Sequence, residues 1–139
     1  MKKLLLLLLF AGFAASTAAQ VRFTTQSTDA LHEQALQQGK LVFIDLYAPW
    51  CPPCRAMEKQ VFSRSDVGEF MNERFVCAKY NVDEPTGKAL MKKYEAEGVP
   101  TFLIFNTSGD LLGRITGAAD AERFTASIRT ILARQRPKK

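Results

Sequence analysis

Two cysteines with two residues between them, Cys51 and Cys54, have the types and spacing best suited to chemistry in this chain. An apolar stretch precedes them and a helical pattern follows, so the sequence places both thiols at the start of a helix. We expect the positive end of the helix dipole to lower the pKa of Cys51 and to raise its thiolate fraction. Cys54, one turn into the helix, is predicted to be the more buried thiol and to resolve a mixed disulfide formed by Cys51.

The two residues between the cysteines are both prolines. Because Pro52 and Pro53 lack an N–H group, neither can donate a hydrogen bond to the sulfur of Cys51. The amide of Cys54 is therefore predicted to be the nearest helical donor to that sulfur. The prolines also stiffen the loop and keep the two sulfur atoms close together.

A zinc site and a purely structural disulfide are the two alternative uses of the pair. Zinc takes four ligands, and the other cysteine and histidine of the chain are Cys77 and His32. Cys77 lies in an apolar strand pattern, where we interpret it as a buried core thiol, and His32 lies in a separate helix, which disfavours a metal. A structural disulfide is disfavoured because its loop is too short to constrain the unfolded chain much.

An acidic residue in the strand before the cysteines is a further candidate. Asp45 interrupts the apolar stretch Leu41–Tyr47, where burial of a carboxylate is costly. A buried carboxyl group has a raised pKa and could exchange a proton with Cys54. The alternative is an Asp at a strand end whose oxygens accept from backbone amides. Lys79, on the strand predicted beside it, is expected either to pair with Asp45 or to be an ordinary surface lysine.

The elements that position these residues alternate between strands and helices. Strands are predicted at 21–25, 41–47, 75–82, 101–105 and 111–116. Helices are predicted from Thr28 or Asp29 to about Gln38, from the cysteines through Val61, from Ser63 or Ser65 to Arg74, from 83–86 to near Gly98, and after Asp120. The order β-α-β-α-β-α-β-β-α predicts an α/β fold with a central mixed sheet and helices on both faces.

The start of the chain has the layout of a secretory signal peptide. Two lysines precede an apolar run over 4–15, and small residues follow, with an expected cleavage after Ala19. The run is shorter than the roughly 20 residues that span a bilayer, which disfavours the alternative, a membrane anchor. We expect residues 1–19 to be removed, 20–139 to form one domain, and the protein to be periplasmic or secreted. The formal charge of +5 is too small to indicate nucleic-acid binding.

Together these motifs resemble the thioredoxin family. The run Trp50-Cys51-Pro52-Pro53-Cys54 resembles the motif of that family, as do Asp45 upstream of it and Gly98-Val99-Pro100-Thr101 downstream. Residues 78–83 resemble the family's strand that carries the lysine partner of the buried aspartate. The match extends from about residue 41 to residue 131, most of the chain. The resemblance implies a thioredoxin fold in which Cys51 attacks, Cys54 resolves and Asp45 relays protons, with no bound cofactor.

The resemblance also implies a groove for a protein substrate beside the cysteines. It implies that Pro100 is cis and that the groove is lined by Trp50, Val99, Pro100 and Gly117. A cis proline would leave the preceding backbone free to pair with an extended substrate segment. From the residues alone, Trp50 could instead be part of the core.

Within the family, 45–48 and 58–63 resemble the C-terminal periplasmic domain of the transmembrane thiol:disulfide interchange proteins. This resemblance implies a reductase or electron relay for the disulfides of exported proteins, reset by a membrane or soluble redox partner. Pro49 stands where that family commonly has an acid, and the Pro-Pro pair is neither Gly-Pro nor Pro-His, so the direction of electron flow is open. A client-binding module with a passive disulfide and a metal carrier using the same thiols are the alternative functions.

Overall fold

The computed structural model describes residues 19–136. Within them the strands are β1 (Phe23–Thr24), β2 (Leu41–Tyr47), β3 (Phe75–Asn81), β4 (Thr101–Phe105) and β5 (Leu111–Thr116). The α-helices are α1 (Thr28–Gln38), α2 (Pro52–Met57), α3 (Ser65–Arg74), α4 (Pro85–Lys93) and α5 (Ala121–Ala133), and a π-helical segment, Glu58–Phe62, follows α2. The expected signal peptide, except Ala19, lies outside the described residues. No helix between residues 19 and 136 is long and apolar enough to cross a membrane.

The strands form a mixed sheet in the order β1-β3-β2-β4-β5. β1, β3 and β2 are parallel, whereas β4 pairs antiparallel with β2 and β5 pairs antiparallel with β4. In the parallel register, Asp45 lies beside Lys79. The predicted α/β architecture, with a mixed central sheet, is confirmed.

The side chains of β2 alternate between two apolar cores on opposite faces of the sheet. Phe43 packs with residues of α2, α3 and α5, whereas Val42, Ile44 and Leu46 pack with residues of α1 and α4. Since successive strand residues point to opposite faces, Asp45 shares the face of Phe43. That is the face on which the helix carrying the cysteines packs.

Phenylalanine side chains anchor the segment after the cysteines to the sheet. The ring of Phe62, at the end of the π-helical segment, lies 6.3 Å from that of Phe43, 5.8 Å from that of Phe102 and 5.4 Å from that of Phe124. A fully buried phenylalanine side chain contributes about 1.5–3 kcal/mol. This contact fixes the far end of the cysteine-bearing segment against the central strands.

Helix α4 is shorter than predicted, since it ends at Lys93 and not near Gly98. The backbone of Glu95 has a φ of 51°, outside the helical region. Arg114 of β5 donates to the carbonyl oxygens of Tyr94 at 2.6 Å and Glu95 at 3.2 Å, which satisfies groups that a continuing helix would have used. The residues after Glu95 are thereby free to form the loop that leads into β4.

The first strand is also shorter than the predicted 21–25. The amide of Val21 donates to the carbonyl oxygen of Phe62, and that of Arg22 donates to the Asn72 side chain. Because these two amides bond outside the sheet, only Phe23 and Thr24 pair with β3.

Candidate functional site

Cys51 and Cys54 form a disulfide just beyond the end of β2. Residues 48–51 turn the chain from Tyr47 into α2, and Cys51 is the N-cap of that helix. The two Cα atoms are 5.3 Å apart, within the range that a disulfide requires. The fold therefore places the pair at a helix start, as the spacing predicts.

The prediction that Cys54 is the more buried cysteine is wrong. Cys51 is 2% exposed and Cys54 is 7% exposed. The loop before β4 covers Cys51, because its Sγ lies 3.7 Å from the carbonyl oxygen of Val99. In the disulfide this is a packing contact, since the sulfur carries no hydrogen. The side chains of Tyr47, Val82 and Val99 pack against the cluster that Ala48 forms with the two cysteines.

A backbone amide points at the sulfur of Cys51. The N–H of Cys54 donates to Cys51 Sγ at 3.2 Å, the donor that the sequence predicted. Pro52 at the first helical position has no N–H to offer. In the reduced protein, this amide and the positive helix end favour negative charge on the Cys51 sulfur.

Asp45 lines a cavity of about 300 Å³ that Cys54 also lines. The residue is 7% exposed, and its Oδ1 has no hydrogen-bond partner among residues 19–136, so backbone amides do not satisfy it. Burial raises the pKa of Asp45 to about 7, against a smaller lowering effect of Lys79 and a raising effect of Glu58. A carboxyl group with a near-neutral pKa beside a thiol can accept and return a proton.

Lys79 does not make the expected pair with Asp45. Its Nζ lies 3.0 Å from Oε1 of Glu58, although the Cα atoms of Lys79 and Asp45 are register partners. The Glu58 side chain is 64% exposed, so pairing there keeps both charges in contact with water. Pairing with the buried Asp45 would require desolvation of the ammonium, which is costly.

The loop before β4 brings three of the predicted groove residues together. The peptide bond between Val99 and Pro100 is cis. The amide of Gly117 donates to the carbonyl oxygen of Pro100 at 2.9 Å. Gly117 has a φ of 85°, a conformation that favours glycine. Val99 is thus set against Cys51, with Gly117 next to Pro100; contact of these residues with a substrate stays a prediction.

Trp50 is an exposed residue beside the disulfide and not part of the core. Its residue exposure is 63%, and its Nε1–H donates to Oδ2 of Asp83 at 2.8 Å. Asp83 follows β3, whose carboxyl end lies at the same sheet edge as that of β2 because the two strands are parallel. The bond fixes the indole while leaving most of it open to solvent.

Three residues around the site were not identified from the sequence. They are Glu58, which pairs with Lys79, Asp83, which binds Trp50, and Arg55, whose Nη1 donates to the carbonyl oxygen of Pro49 at 2.8 Å. Glu58 carried a usable signal, because residues four apart on a helix share a face and Glu58 lies four residues after Cys54.

The remaining cysteine and the histidine lie away from the disulfide. Cys77 is a free thiol in the core packed by α2, α3 and α5, and burial raises its pKa to about 12. The ring of His32 packs edge-on against Phe105, with centroids 5.3 Å apart, on the face of α1. Within residues 19–136, no three His, Cys, Asp or Glu side chains are grouped to hold a metal ion.

The fold and the site define the class of protein. Residues 29–132 match the family of the thioredoxin-like domain. A solved thioredoxin from Thermus thermophilus superposes with a TM-score of 0.71 and 26% identity, over 81% of this chain and 88% of that one. The chain belongs to the thioredoxin-like domain family.

Among individual proteins, the chain is similar to the thiol:disulfide interchange protein DsbD. It is 36% identical to that of Klebsiella pneumoniae over 125 residues and 34% identical to that of Tatumella citrea over 127 residues. These alignments cover 86% and 88% of this chain but 21% and 22% of the relatives, so the chain spans about a fifth of their length. The resemblance inferred from the motifs is confirmed.

The C-terminal domain of Neisseria meningitidis DsbD, solved in its oxidised form, shares this fold. It superposes with a TM-score of 0.65 at 24% identity, over 78% of this chain and 98% of that domain. This likeness shows that the two share a fold.

Proposed function

We propose that this chain is a thiol–disulfide oxidoreductase that reduces disulfides of exported proteins or relays electrons to them. The observation that carries the proposal is the Cys51–Cys54 disulfide at the start of α2, with the Cys54 amide on the sulfur of Cys51. Similarity to thiol:disulfide interchange proteins supports it. A cleavable signal peptide over residues 1–19 would place the protein in the periplasm or outside the cell.

The first step is attack of the reduced Cys51 on a substrate disulfide. The Cys51 thiolate forms a bond to one substrate sulfur, and the other substrate sulfur leaves as a thiolate. The Cys54 amide favours the attacking thiolate. The substrate segment lies between Trp50 and the Val99–Pro100 loop, beside which Gly117 is bonded to Pro100.

The second step resolves the mixed disulfide. The Asp45 carboxylate takes the proton of the Cys54 thiol, and the new thiolate attacks Cys51 Sγ. The Cys51–substrate bond breaks, the second substrate sulfur leaves as a thiolate, and the Cys51–Cys54 disulfide forms. Two electrons have then passed from the dithiol to the substrate.

The dithiol must then be restored by a redox partner with a lower reduction potential. A membrane or soluble dithiol protein can do this by the same two exchange steps in reverse order, so the cycle needs no bound cofactor. A measurement of the reduction potential of Cys51–Cys54 would indicate the direction of electron flow. About −270 mV is typical of thioredoxin and about −120 mV of a strong oxidase.

Reduction of insulin by dithiothreitol tests the proposal. The wild-type protein is expected to accelerate the reaction, Cys51→Ser to give no acceleration over dithiothreitol alone, and Cys77→Ala to match the wild type. Equal acceleration by the wild type and Cys51→Ser would overturn the enzyme proposal and favour a client-binding module. Stoichiometric copper(I) or zinc binding in equilibrium dialysis, lost with either Cys51→Ser or Cys54→Ser, would favour a metal carrier.

A further inference from the structure

The position of the Lys79 ammonium requires an explanation. Lys79 and Asp45 are register partners on adjacent parallel strands, and their side chains share one face of the sheet. The ammonium nevertheless pairs with Glu58, and Asp45 Oδ1 has no partner within the described part of the chain. The charge of Glu58 and the cost of desolvating the ammonium both disfavour a pair with Asp45, and the groups around the ammonium determine how firmly it stays on the Glu58 side.

Two aromatic rings contact the ammonium. Lys79 Nζ lies 5.3 Å from the centroid of the Tyr47 ring and 5.9 Å from that of the Phe23 ring. Both distances fall within the roughly 6 Å over which a cation is attracted to an aromatic face. The ammonium therefore lies near both rings as well as near the carboxylate of Glu58.

The sheet register places both rings on the face of Lys79. Tyr47 is two residues after Asp45 on β2, so its side chain lies on the same face. Phe23 on β1 is the register partner of Cys77, which is two residues before Lys79 on β3. The cation site is therefore built from three adjacent strands and the π-helical segment that carries Glu58.

The cation affects Asp45 through space without a direct bond. Lys79 lowers the pKa of Asp45 and Glu58 raises it, and both effects are smaller than that of burial. The titratable and charged side chains that line the cavity with Asp45 are Tyr47, Cys54, Arg55, Glu58 and Lys79. Lys79 and Arg55 are the cations among them, and Lys79 is the register partner of Asp45 on the adjacent strand, so its movement toward Asp45 would form a direct ion pair.

We propose that Tyr47 is a positioning residue that, with Phe23, holds the Lys79 ammonium on the Glu58 side of the cavity and so prevents it from pairing with Asp45. This keeps Asp45 able to carry a proton near neutral pH, which the resolving step of the proposed function uses. The inference rests on that function only for its use in catalysis; the positioning itself is a property of the folded protein.

The test is a titration of the Asp45 carboxyl carbon by ¹³C NMR in the wild type and in Tyr47→Leu, with Tyr47→Phe as the matched control. Tyr47→Leu is expected to lower the midpoint by about one pH unit or more, a tenfold change, because the ammonium can then reach Asp45. Tyr47→Phe keeps the ring and is expected to titrate like the wild type. A midpoint in Tyr47→Leu equal to that in Tyr47→Phe would overturn the proposal.

Loss of the ring also admits water, so the same pair of variants is measured with Lys79→Met. If the ring acts through the cation, Tyr47→Leu has no effect once Lys79 is replaced. A shift of the same size without Lys79 would overturn the proposal and assign the effect to solvation. Phe23→Leu, which removes the more distant ring, is expected to cause a smaller shift in the same direction and serves as the test if Tyr47→Leu does not fold.

Activity separates this inference from the proposed function. If the Asp45 midpoint moves as expected while the pH profile of insulin reduction does not, the relay role of Asp45 fails and the positioning role of Tyr47 stands. If the protein reduces insulin but the Asp45 midpoint does not move, the proposed function stands and the positioning role of Tyr47 fails.

Discussion

The disulfide pair and Cys77 are all buried but have different chemical surroundings. Cys51, Cys54 and Cys77 are 2%, 7% and 3% exposed. Cys51 caps a helix, accepts from the Cys54 amide, and its partner shares a cavity with a titrating carboxyl group. Cys77 lies within β3 among apolar side chains, and burial raises its pKa to about 12.

The comparison shows that exposure does not distinguish the cysteine at the helix start from the cysteine in the core. What differs is whether the surroundings stabilise the thiolate or penalise it. A hydrogen-bond donor and a helix end favour the thiolate at Cys51, whereas at Cys77 desolvation outweighs the smaller, opposite effect of Lys40.

Alkylation of the reduced protein should separate the thiols most strongly. At pH 7, iodoacetamide is expected to modify Cys51 at least about a thousandfold faster than Cys77, because a thiol with a pKa near 12 is almost entirely protonated. Mass spectrometry of quenched samples gives the two rates. Denaturant should remove the difference, and comparable rates in the folded protein would contradict the comparison.

Loss of the carboxyl group should slow resolution but not attack. Asp45→Asn is expected to reduce the rate at which Cys54 releases a mixed disulfide by about a hundredfold near pH 7, since the general base is gone. In the wild type, that rate should rise with pH through about 7 as the carboxyl group ionises. Stopped-flow measurement of single-turnover release, with alkylation of Cys51 as the control, distinguishes the two steps.

The buried Asp45 carboxylate should also destabilise the folded protein at neutral pH, whereas the Cys77 thiol should not. Burial raises the pKa of Asp45 from its ordinary value of 3.8 to about 7 in the folded protein, so folding favours the protonated form. The wild type therefore loses stability as pH rises from about 4 to 7. Asp45→Asn is expected to be more stable by on the order of 3–4 kcal/mol at pH 8, with little difference below pH 4.

Denaturant unfolding at these two pH values measures the difference. Cys77→Ala provides the contrast, because its thiol does not ionise in this range and its effect should be independent of pH. An Asp45→Asn effect that is equally large at both pH values would show that ionisation is not its cause.

The bond between Trp50 and Asp83 should have the smallest effect. Asp83→Asn leaves an amide oxygen to accept from the indole but removes the charge, so we expect at most about a threefold rise in KM for a protein substrate with kcat unchanged. Trp50 is the single tryptophan of the chain, so fluorescence reports its environment directly. Loss of kcat in Asp83→Asn would show that the bond positions the cysteines and not only the contact surface.

Local patterns made much of this structure predictable. β2, β4 and β5 begin and end at the predicted residues because each is an apolar or alternating run bounded by turn residues. The disulfide and its amide donor follow from residues within one helical turn. In each case the decisive interactions lie within a few residues of one another.

Features that depend on several distant segments were not predictable. The partner of Lys79 depends on rings from β1 and β2 and a carboxylate from the π-helical segment. The greater burial of Cys51 depends on a loop almost fifty residues away. The sequence indicated the cysteines, Asp45 and Trp50 but not Glu58, Arg55 or Asp83. The side-chain directions follow from packing among these segments.

The short length of β1 affects how the protein can contact its proposed protein substrates. β1 is an edge strand in which only Phe23 and Thr24 pair with β3. It therefore offers few free amide and carbonyl groups with which a strand of another protein could pair. The amides just before it are already engaged by Phe62 and Asn72. If the protein handles partly unfolded chains as proposed, this edge of the sheet gives them few groups with which to form a shared sheet.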